Sequence, residues 1–498
     1  MRTFPLLVSL AAGAAAGTVS APFSKQKLDL ASAISKRDGT LDLDAINNVT
    51  GAGYYAEFEV GTPGQKISFL LDTGSSDTWL NSDDTDYCND DEAQAQAGYC
   101  MTTFNPDDSK TFNEVDRNGF DITYVDTRHI QGDYFEDTIS IDGKTIKKQQ
   151  LGLAVESVRP VGIMGLGFSA NVAAKTRYAT VIENMVSQGY IDRAAFSLWL
   201  NDLNSDEGTI LFGGIDKKKF VGKLATLPLE REPGSRISNV TSFSVAFEGL
   251  SVNTPDGQKE VDLRDLDSDA IAILDSGSTI CLLPDKQVQQ IWKEFDVVNI
   301  PKVSVPFVDC AYGKSKGKDI TIDFKFKGKT IAVPLSEMVI DVFKGQQDQF
   351  MGAGLDNLFA DWDSICMFGI TSAEGYGIES VDFALLGDTF LRSAYVVYDL
   401  ANEQLGIAEA NSDTGESDIV ELNADDKDFP DISGVASKSK PIATDSSGTR
   451  PTVTVTAGSD ASSGQSGDGD DDDNAAGHLV PAFMATLMMV LGAMVVVV

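Results

Sequence analysis

Two short aspartate motifs in this chain have the residue types that proton-transfer chemistry needs. Asp72-Thr-Gly-Ser75 and Asp275-Ser-Gly-Ser278 lie 203 positions apart, and each follows an apolar run. A carboxyl group can accept or donate a proton, and the hydroxyl beside it can hydrogen-bond within the same loop. A third match, at Asp413, has no apolar run before it and no serine after its glycine. We therefore interpret the third match as coincidental and the first two as a pair.

The pair would hydrolyse a bond by general acid–base catalysis if its two carboxyl groups came within hydrogen-bonding distance. Like charges so close cannot both ionise, so the pair shares one proton. One carboxylate then activates a water molecule, while the protonated one donates to the scissile carbonyl oxygen. Gly74 and Gly277 would let the loops approach, because glycine has no side chain. The pair titrates as a unit, so the sequence leaves open whether Asp72 or Asp275 is the base.

The composition excludes several other classes of function. The chain has 498 residues, a formal net charge of -36 and two histidines, His129 and His478. So few histidines argue against a Ser-His-Asp triad, a Cys-His pair or a multi-histidine zinc site, and we expect no metal and no cofactor. The negative charge repels phosphate, which excludes a nucleic-acid partner. It is compatible with basic peptide substrates or simply with solubility.

Short strands are the elements that would position the two motifs. Over roughly residues 50 to 410, apolar alternation is broken repeatedly by Gly, Asp and Asn, which is typical of a mainly β protein. Helical patterns occur at 179–188 and 285–295.

An internal repeat indicates how the strands are arranged. Besides the two aspartate motifs, two glycine-ended apolar runs, 161–165 and 383–387, resemble each other. Similar halves predict two lobes related by a pseudo-twofold axis with a central cleft between them. The predicted N-terminal lobe covers 38–228 and the C-terminal lobe covers 229–410.

The chain resembles the pepsin-like aspartic proteases over about residues 53 to 410. Beyond the aspartate loops, the resemblance rests on the segments 55–65, 208–216 and 387–399. It implies a mainly β, bilobal fold whose cleft holds an extended peptide, and therefore an endopeptidase with protein and peptide substrates. We expect a monomer.

By the same resemblance, Tyr124 is the tyrosine of a flap over the cleft, and Trp79 is the tryptophan that packs against it. The family commonly has Gly-Asp-Gly after this tyrosine, whereas this chain has Val-Asp-Thr-Arg-His at 125–129. The flap is therefore expected to be stiffer, or to present Arg128 toward the cleft. The resemblance also assigns substrate-binding or supporting roles to residues of the two loops: Gly74, Ser75, Gly277, Ser278 and Thr279.

The N-terminal end carries signals for the secretory route. Arg2 and the apolar run at 6–16 predict a signal peptide, residues 1–21, with cleavage after Ala21. Residues 22–37 are then a propeptide, removed by cleavage after Arg37 in a dibasic pair.

The C-terminal end predicts a surface anchor. Segment 411–473 is rich in Ser, Thr, Gly and Asp, which predicts a disordered stalk. Segment 474–498 has small residues followed by an uncharged apolar tail, as in a glycosylphosphatidylinositol (GPI) signal that is removed on attachment. Asn474 is the preferred attachment residue and Ser466 the second, and a tail-anchored membrane helix is the alternative.

These ends indicate an extracellular protein at the cell surface, held at the plasma membrane or in a cell wall. The secretory route would make the two N-glycosylation sequons, at Asn48 and Asn239, usable. The GPI tail, the stalk and the dibasic site resemble those of fungal yapsin-type surface proteases.

An acidic insertion follows the first aspartate motif. In yapsins such a loop accompanies cleavage after basic residues, but a solvated loop with no binding role explains the composition equally well. Whether the loop, 82–92, is itself cleaved is left open. Its acidic residues are Asp83, Asp84, Asp86, Asp90, Asp91 and Glu92.

The chain has five cysteines. Cys88 and Cys100 flank part of the acidic insertion and could close a short disulfide. As in the family, Cys310 and Cys366 could close a longer one. Cys281 then remains as a buried free thiol that packs as a small hydrophobic side chain.

A protein of another class could share these patterns. Catalytically inactive relatives bind peptides or inhibitors, and a structural cell-wall protein could use the same head as a spacer. Inactive relatives usually lose a catalytic aspartate or a loop glycine. Here both aspartates and both glycines are present, which favours an enzyme.

Overall fold

The structure is a computed structural model. It describes residues 17–25, 53–97, 100–124, 128–205, 207–231, 239–261, 270–300, 305–343, 359–378, 383–412 and 414–438. The predicted sites at Arg37, Asn48, Ser466 and Asn474 lie outside these ranges.

Strands make up most of the regular structure in the described ranges. They are β1 (Val19–Lys25), β2 (Tyr54–Val60), β3 (Gln65–Asp72), β4 (Thr78–Asn81), β5 (Asn113–Thr123), β6 (His129–Ile141), β7 (Lys144–Glu156), β8 (Gly162–Gly165), β9 (Ala195–Trp199), β10 (Glu207–Phe212), β11 (Gly214–Asp216), β12 (Phe220–Pro228), β13 (Ser244–Ala246), β14 (Gly249–Thr254), β15 (Gly257–Val261), β16 (Ile271–Leu274), β17 (Cys281–Leu283), β18 (Phe307–Asp309), β19 (Thr321–Phe326), β20 (Lys329–Pro334), β21 (Val339–Ile340), β22 (Ile365–Phe368), β23 (Ile370–Ser372), β24 (Phe383–Leu386), β25 (Ala394–Asp399), β26 (Gln404–Ala410) and β27 (Ile419–Glu421).

Four α-helices accompany them in the described part of the chain: α1 (Asp91–Ala97), α2 (Val181–Ser187), α3 (Asp285–Glu294) and α4 (Asp388–Leu391). The sequence predicted α2 and α3, and both are confirmed. Thr180 caps α2: its side chain accepts a hydrogen bond from the backbone N–H of Glu183, whose carboxylate accepts one from the N–H of Thr180. No described helix has the length and apolar character needed to cross a membrane.

The sheet topology confirms the predicted mainly β, two-lobed fold. A 13-stranded sheet has the order β12-β26-β25-β9-β10-β1-β2-β3-β8-β4-β7-β6-β5, and a five-stranded sheet has the order β13-β16-β24-β17-β23. In the first, β3 is parallel to β8, which is antiparallel to β4, which is parallel to β7. In the second, β16, β24, β17 and β23 repeat the same pattern. Each aspartate motif follows the first strand of its copy.

Strand β1 disagrees with signal-peptide cleavage after Ala21. Val19 to Ser24 pair with β10, and Ser24 and Lys25 pair with β2. Val19, Ala21 and Phe23 are buried in the core. Cleavage after Ala21 would divide this strand. Val19 and Ala21, the residues that suggested the cleavage site, are the ones that the strand buries in the core.

We expect the secreted precursor to begin at or before Val19. Ala14 and Ala16 supply small residues at the third-last and last positions of an earlier site, so cleavage after Ala16 keeps β1 whole. N-terminal sequencing of the precursor, secreted with its dibasic site blocked, checks this prediction. A precursor that begins at Pro22 would contradict it.

The segment after Ala410 differs from the predicted disordered stalk, because its first part is folded. Residues 411–412 and 414–438, here named the C-terminal strap, pack against β11 and β12. Strand β27 pairs with β11, and the N–H of Val435 donates to the carbonyl of Phe220 at 2.9 Å. Leu422 is 2% exposed. The prediction of a disordered chain from Asn411 onward was wrong for the strap, because a few apolar anchors and backbone pairs order a segment whose average composition is polar.

Leu422 should be the main apolar anchor of the strap. We expect Leu422→Ala to lower the free energy of unfolding by about 2–4 kcal/mol, because a buried leucine leaves a cavity. Ile419→Ala is the matched control, since Ile419 is 44% exposed and should change stability little. Thermal and denaturant unfolding measure both. Equal effects of the two substitutions would contradict this description of the strap.

Candidate active site

The two motif aspartates are fully buried at the ends of core strands. Asp72 is the last residue of β3, and Asp275 directly follows β16. Both are 0% exposed. Buried carboxyl groups require hydrogen-bond partners, and each aspartate receives them from its own loop.

The hydrogen bonds to the two carboxyl groups mirror each other. The N–H of Gly74 donates to Oδ1 of Asp72 at 2.8 Å, and the N–H of Gly277 donates to Oδ1 of Asp275 at 2.8 Å. The hydroxyl of Ser75 donates to Oδ2 of Asp72, and that of Ser278 donates to Oδ2 of Asp275 at 2.6 Å. The glycines and serines selected from the sequence therefore hold both carboxyl groups in place, each from the same relative position.

The middle residues of the motifs, Thr73 and Ser276, join the two loops. The hydroxyl of Thr73 donates to the carbonyl of Leu274 at 2.8 Å and accepts from the N–H of Ser276 at 2.9 Å. Reciprocally, the hydroxyl of Ser276 donates to the carbonyl of Leu71 at 2.9 Å and accepts from the N–H of Thr73 at 3.2 Å. From the sequence, we expected the hydroxyl beside each aspartate to hydrogen-bond within its own loop, whereas these two hydroxyls bond to the opposite loop.

The two loops approach each other closely at Gly74. A Cβ atom built at this position would lie 2.7 Å from Oδ1 of Asp275. Any side chain there would collide with the opposite carboxyl group. The glycine of the motif is therefore required by the second aspartate, not only by its own turn.

Burial is the main electrostatic influence on both carboxyl groups. It raises the pKa of Asp72, while hydrogen bonds from Ser75 and Gly74 act in the opposite direction. Burial and then the neighbouring charge of Asp72 raise the pKa of Asp275 well above its usual range. Both carboxyl groups therefore favour the protonated form, and two groups this close share one proton as a pair.

The two glycine-ended strands of the repeat lie directly behind the loops. The N–H of Gly167 donates to the carbonyl of Ser75 at 2.9 Å, and the N–H of Asp388 donates to the carbonyl of Ser278 at 2.8 Å. Thr279 is buried, and its carbonyl accepts from the N–H of Thr389 at 3.1 Å. The side chain that was expected to bind substrate thus lies in a tightly packed part of the second loop.

The flap residues lie where the resemblance implied. Tyr124, at the end of the β5–β6 hairpin, is 5% exposed, and its hydroxyl accepts from Nε1 of Trp79 at 2.6 Å. The N–H of Tyr124 donates to the carbonyl of Arg128 at 2.9 Å. The altered flap tip, 125–127, lies outside the described residues, so the predicted stiffness and the direction of Arg128 stay predictions.

Sequence reasoning missed a polar cluster around Asp77. This buried carboxyl group accepts from the hydroxyls of Tyr134 at 2.8 Å and Tyr178 at 2.7 Å, and from the N–H of Ala173 at 2.6 Å. Burial raises its pKa. Tyr134 is on β6, so the cluster ties the segment after the first motif to the β5–β6 hairpin. Nothing in the sequence distinguished this aspartate from the many others.

Both predicted disulfides are present, Cys88–Cys100 and Cys310–Cys366. Cys281 is free and buried, as expected, and burial raises the pKa of its thiol to about 11. The thiol therefore stays protonated in water near neutral pH.

The acidic insertion is an ordered, exposed loop that includes α1. The side chain of Asp90 caps this helix by accepting from the N–H groups of Glu92 at 2.9 Å and Ala93 at 3.0 Å. Asp84, Asp86, Asp90, Asp91 and Glu92 are exposed, and Asp83 is half-buried. The sequon residue Asn239 is also exposed.

Comparisons with known proteins agree with this geometry. The family model for eukaryotic aspartyl proteases matches residues 53–410. A probable aspartic-type endopeptidase of Aspergillus fumigatus is 34% identical over 420 residues, which cover 83% of this chain and 80% of the relative. Candidapepsin of Candida tropicalis is 31% identical over 75% of this chain and 82% of its own length. Secreted aspartic protease 5 of Candida albicans is 30% identical over 78% and 84%.

Proposed function

Because this chain belongs to the eukaryotic aspartyl protease family and is an aspartic-type endopeptidase, we propose that Asp72 and Asp275 are its catalytic pair. The mirrored hydrogen bonds to two buried carboxyl groups, on loops joined through Thr73 and Ser276, carry this proposal. Such an arrangement suits two groups that must act together on one peptide bond, one on the attacking water and the other on the carbonyl oxygen.

In the proposed mechanism, Asp72 is the base and Asp275 carries the shared proton at rest. Ionised Asp72 takes a proton from a bound water molecule, whose oxygen attacks the peptide carbonyl carbon. Asp275 donates its proton to the carbonyl oxygen, which gives a tetrahedral intermediate with two hydroxyl groups. The carbon–nitrogen bond then breaks as Asp72 passes its proton to the leaving nitrogen, and Asp275 takes back a proton from one hydroxyl group as the new carboxyl group forms. The loop hydrogen bonds are the same on both sides, and the positive charge of the buried Arg159, which favours the ionised form of Asp72, supports this assignment.

Digestion of a peptide library tests the proposed activity. We expect the protein matured after Arg37 to cleave internal peptide bonds at acid pH and to lose this activity toward neutral pH. Mass spectrometry of the products identifies the cleaved bonds. Removal of terminal residues alone, or no cleavage at any pH from about 3 to 7, would contradict an acid endopeptidase.

We also propose that the enzyme acts as a monomer at the cell surface, attached through a GPI anchor at Asn474 and carrying N-linked glycans at Asn48 and Asn239. The secretory signals at both ends support this. So does the position of the strap: Tyr395 packs on the strap side of β25, whereas Tyr398 lies on the opposite face and reaches Thr73 of the catalytic loop. The strap therefore lies on the face of β25 opposite the one that faces Thr73.

Release from cells tests the anchor. A phosphatidylinositol-specific phospholipase should free the active protein from intact cells, and Asn474→Gln should reduce the released fraction if Asn474 is the attachment residue. Protein that stays with the membrane after this treatment would support a spanning tail instead.

The finer proposal is a preference for basic residues, supported by the exposed acidic loop beside the first catalytic motif. Replacing Asp90, Asp91 and Glu92 by their amides should lower kcat/KM for peptides with Lys or Arg near the cleaved bond, but not for neutral peptides. Asparagine keeps the cap at position 90, so α1 should persist. A matched control replaces three exposed acids of the strap, Asp425, Asp426 and Asp428. Equal losses of kcat/KM in both variants would mean that the overall negative charge of the protein, and not the acidic loop, attracts basic peptides.

A further inference from the structure

Arg159 is a buried cation next to the flap tyrosine. It lies between β7 and β8 and is 3% exposed. Its guanidinium carbon is 4.7 Å from the centre of the Tyr124 ring. A cation at this distance from an aromatic ring is attracted by the negative charge of the ring face. Arg159 therefore holds the ring whose hydroxyl accepts from Trp79.

The backbone of Arg159 is fixed on both sides. Its carbonyl accepts from the side-chain amide of Asn81 at 3.0 Å and from the hydroxyl of Ser157 at 3.3 Å. Its N–H donates to the same hydroxyl at 3.1 Å. The following residue, Pro160, accepts from the N–H of Met101 at 2.8 Å. Because these hydrogen bonds fix its backbone, the side chain of Arg159 can hold the flap tyrosine in position against the lobe.

The charge of Arg159 also acts on the proposed catalytic pair. Burial raises the pKa of Asp72, and the positive charge of Arg159 opposes this effect, together with hydrogen bonds from Ser75 and Gly74. Asp275 on the opposite loop and Tyr124 on the flap also interact electrostatically with Asp72. The positive charge of Arg159 therefore favours the ionised form of Asp72.

We propose that Arg159 is a positioning residue of this protease, which holds Tyr124 in its hydrogen bond with Trp79 and supplies a buried positive charge beside that ring. The inference rests on the proposed roles of Asp72 and Asp275. A buried charge is costly unless it is compensated, so a guanidinium in this place is best explained by the groups it contacts and stabilises. Neither the strand pattern nor the aspartate motifs require a cation here.

Two consequences of the proposal are separable by kinetics. Without the positive charge, Asp72 takes up its proton at a higher pH, so the acid limb of the kcat/KM profile moves upward. Without the planar guanidinium on the ring, Tyr124 is held less firmly, so KM rises even where the charge is kept. A residue that only stabilised the fold would change neither the limb nor KM of the folded protein.

The experiment compares Arg159→Met, Arg159→Lys and the wild type on one internally quenched peptide across the acid range. We expect Arg159→Met to shift the acid limb upward by about half a pH unit or more. Arg159→Lys should leave the limb in place and raise KM about threefold, because an ammonium group stacks less well than a guanidinium. Arg117→Met, at an exposed position of the flap hairpin, is the control and should match the wild type in both respects.

An acid limb of Arg159→Met that superimposes on that of the wild type would overturn the proposal, and so would an equal shift in Arg159→Lys. If Arg159→Met does not fold, Arg159→Gln replaces it in the same comparison with Arg159→Lys. Failure of the proposed function gives a different result, because the wild type itself would then hydrolyse no peptide at acid pH.

Discussion

Asp72→Asn and Asp275→Asn should each lower kcat by at least about 10⁴-fold while the protein stays folded, because residues that act as one catalytic unit fail together. An asparagine can keep the hydrogen bonds from the loop N–H groups but can neither take a proton from water nor share one. Asp413→Asn, at the third motif copy, is the matched control and should retain full activity. Rates on a single peptide near the acid optimum, with circular dichroism to check folding, measure the three variants.

Two outcomes would contradict the assignment. Hydrolysis by either dyad variant within about tenfold of the wild-type rate would remove that aspartate from the chemistry. A comparable loss in Asp413→Asn would show that the third motif had been dismissed wrongly.

The second large effect concerns stability and pH. Burial raises the pKa of Asp72, and burial and the charge of Asp72 raise that of Asp275 well above the usual range. The folded protein then binds protons more tightly than the unfolded chain, whose aspartates titrate near about 3.9. The free energy of unfolding contributed by the pair is therefore fully present below about pH 4 and is lost as pH rises through the raised pKa values.

Asp275→Asn should remove most of this dependence. We expect the free energy of unfolding of the wild type to fall more steeply from about pH 4 to 7 than that of the variant. Asp413→Asn removes one acidic group as well, so it changes the overall charge repulsion equally and should keep the wild-type slope. Denaturant titrations at several pH values measure the slopes. Parallel curves for the wild type and Asp275→Asn would mean that Asp275 titrates normally in the folded protein.

The sequence was sufficient to predict the structure where a local residue pattern and a chemical requirement point to the same element. An apolar run followed by Asp-Ser/Thr-Gly-Ser has few other uses, and its repetition predicted both the strand pattern and the pairing of Asp72 with Asp275. Helices α2 and α3 had clear periodicity. The disulfides followed from the positions of Cys88 and Cys100 and from the family resemblance for Cys310 and Cys366.

The sequence was insufficient to predict the structure where one residue pattern is typical of two different kinds of segment. Val19, Ala21 and Phe23 alternate as a buried strand does, but small and apolar residues near the start of a chain are equally typical of a signal peptide. The composition did not predict that the strap is folded, because Leu422 and a few neighbours anchor a segment that is polar on average.

Tertiary contacts explain the residues that were missed. Asp77 gains its importance from Tyr134 and Tyr178, which lie far away along the chain. Arg159 likewise acquires a role only when the flap hairpin brings Tyr124 over it. No local pattern marks such residues, since the partners are chosen by the fold.

The pH dependence of kcat/KM tests most directly whether a buried carboxyl pair performs the hydrolysis. The account predicts a bell-shaped profile with both limbs below neutral pH, because one carboxyl group must be ionised and the other protonated. The acid limb should move upward in Arg159→Met and stay in place in Arg117→Met. A wild-type rate that is constant through neutral pH, or that rises toward it, would contradict the account.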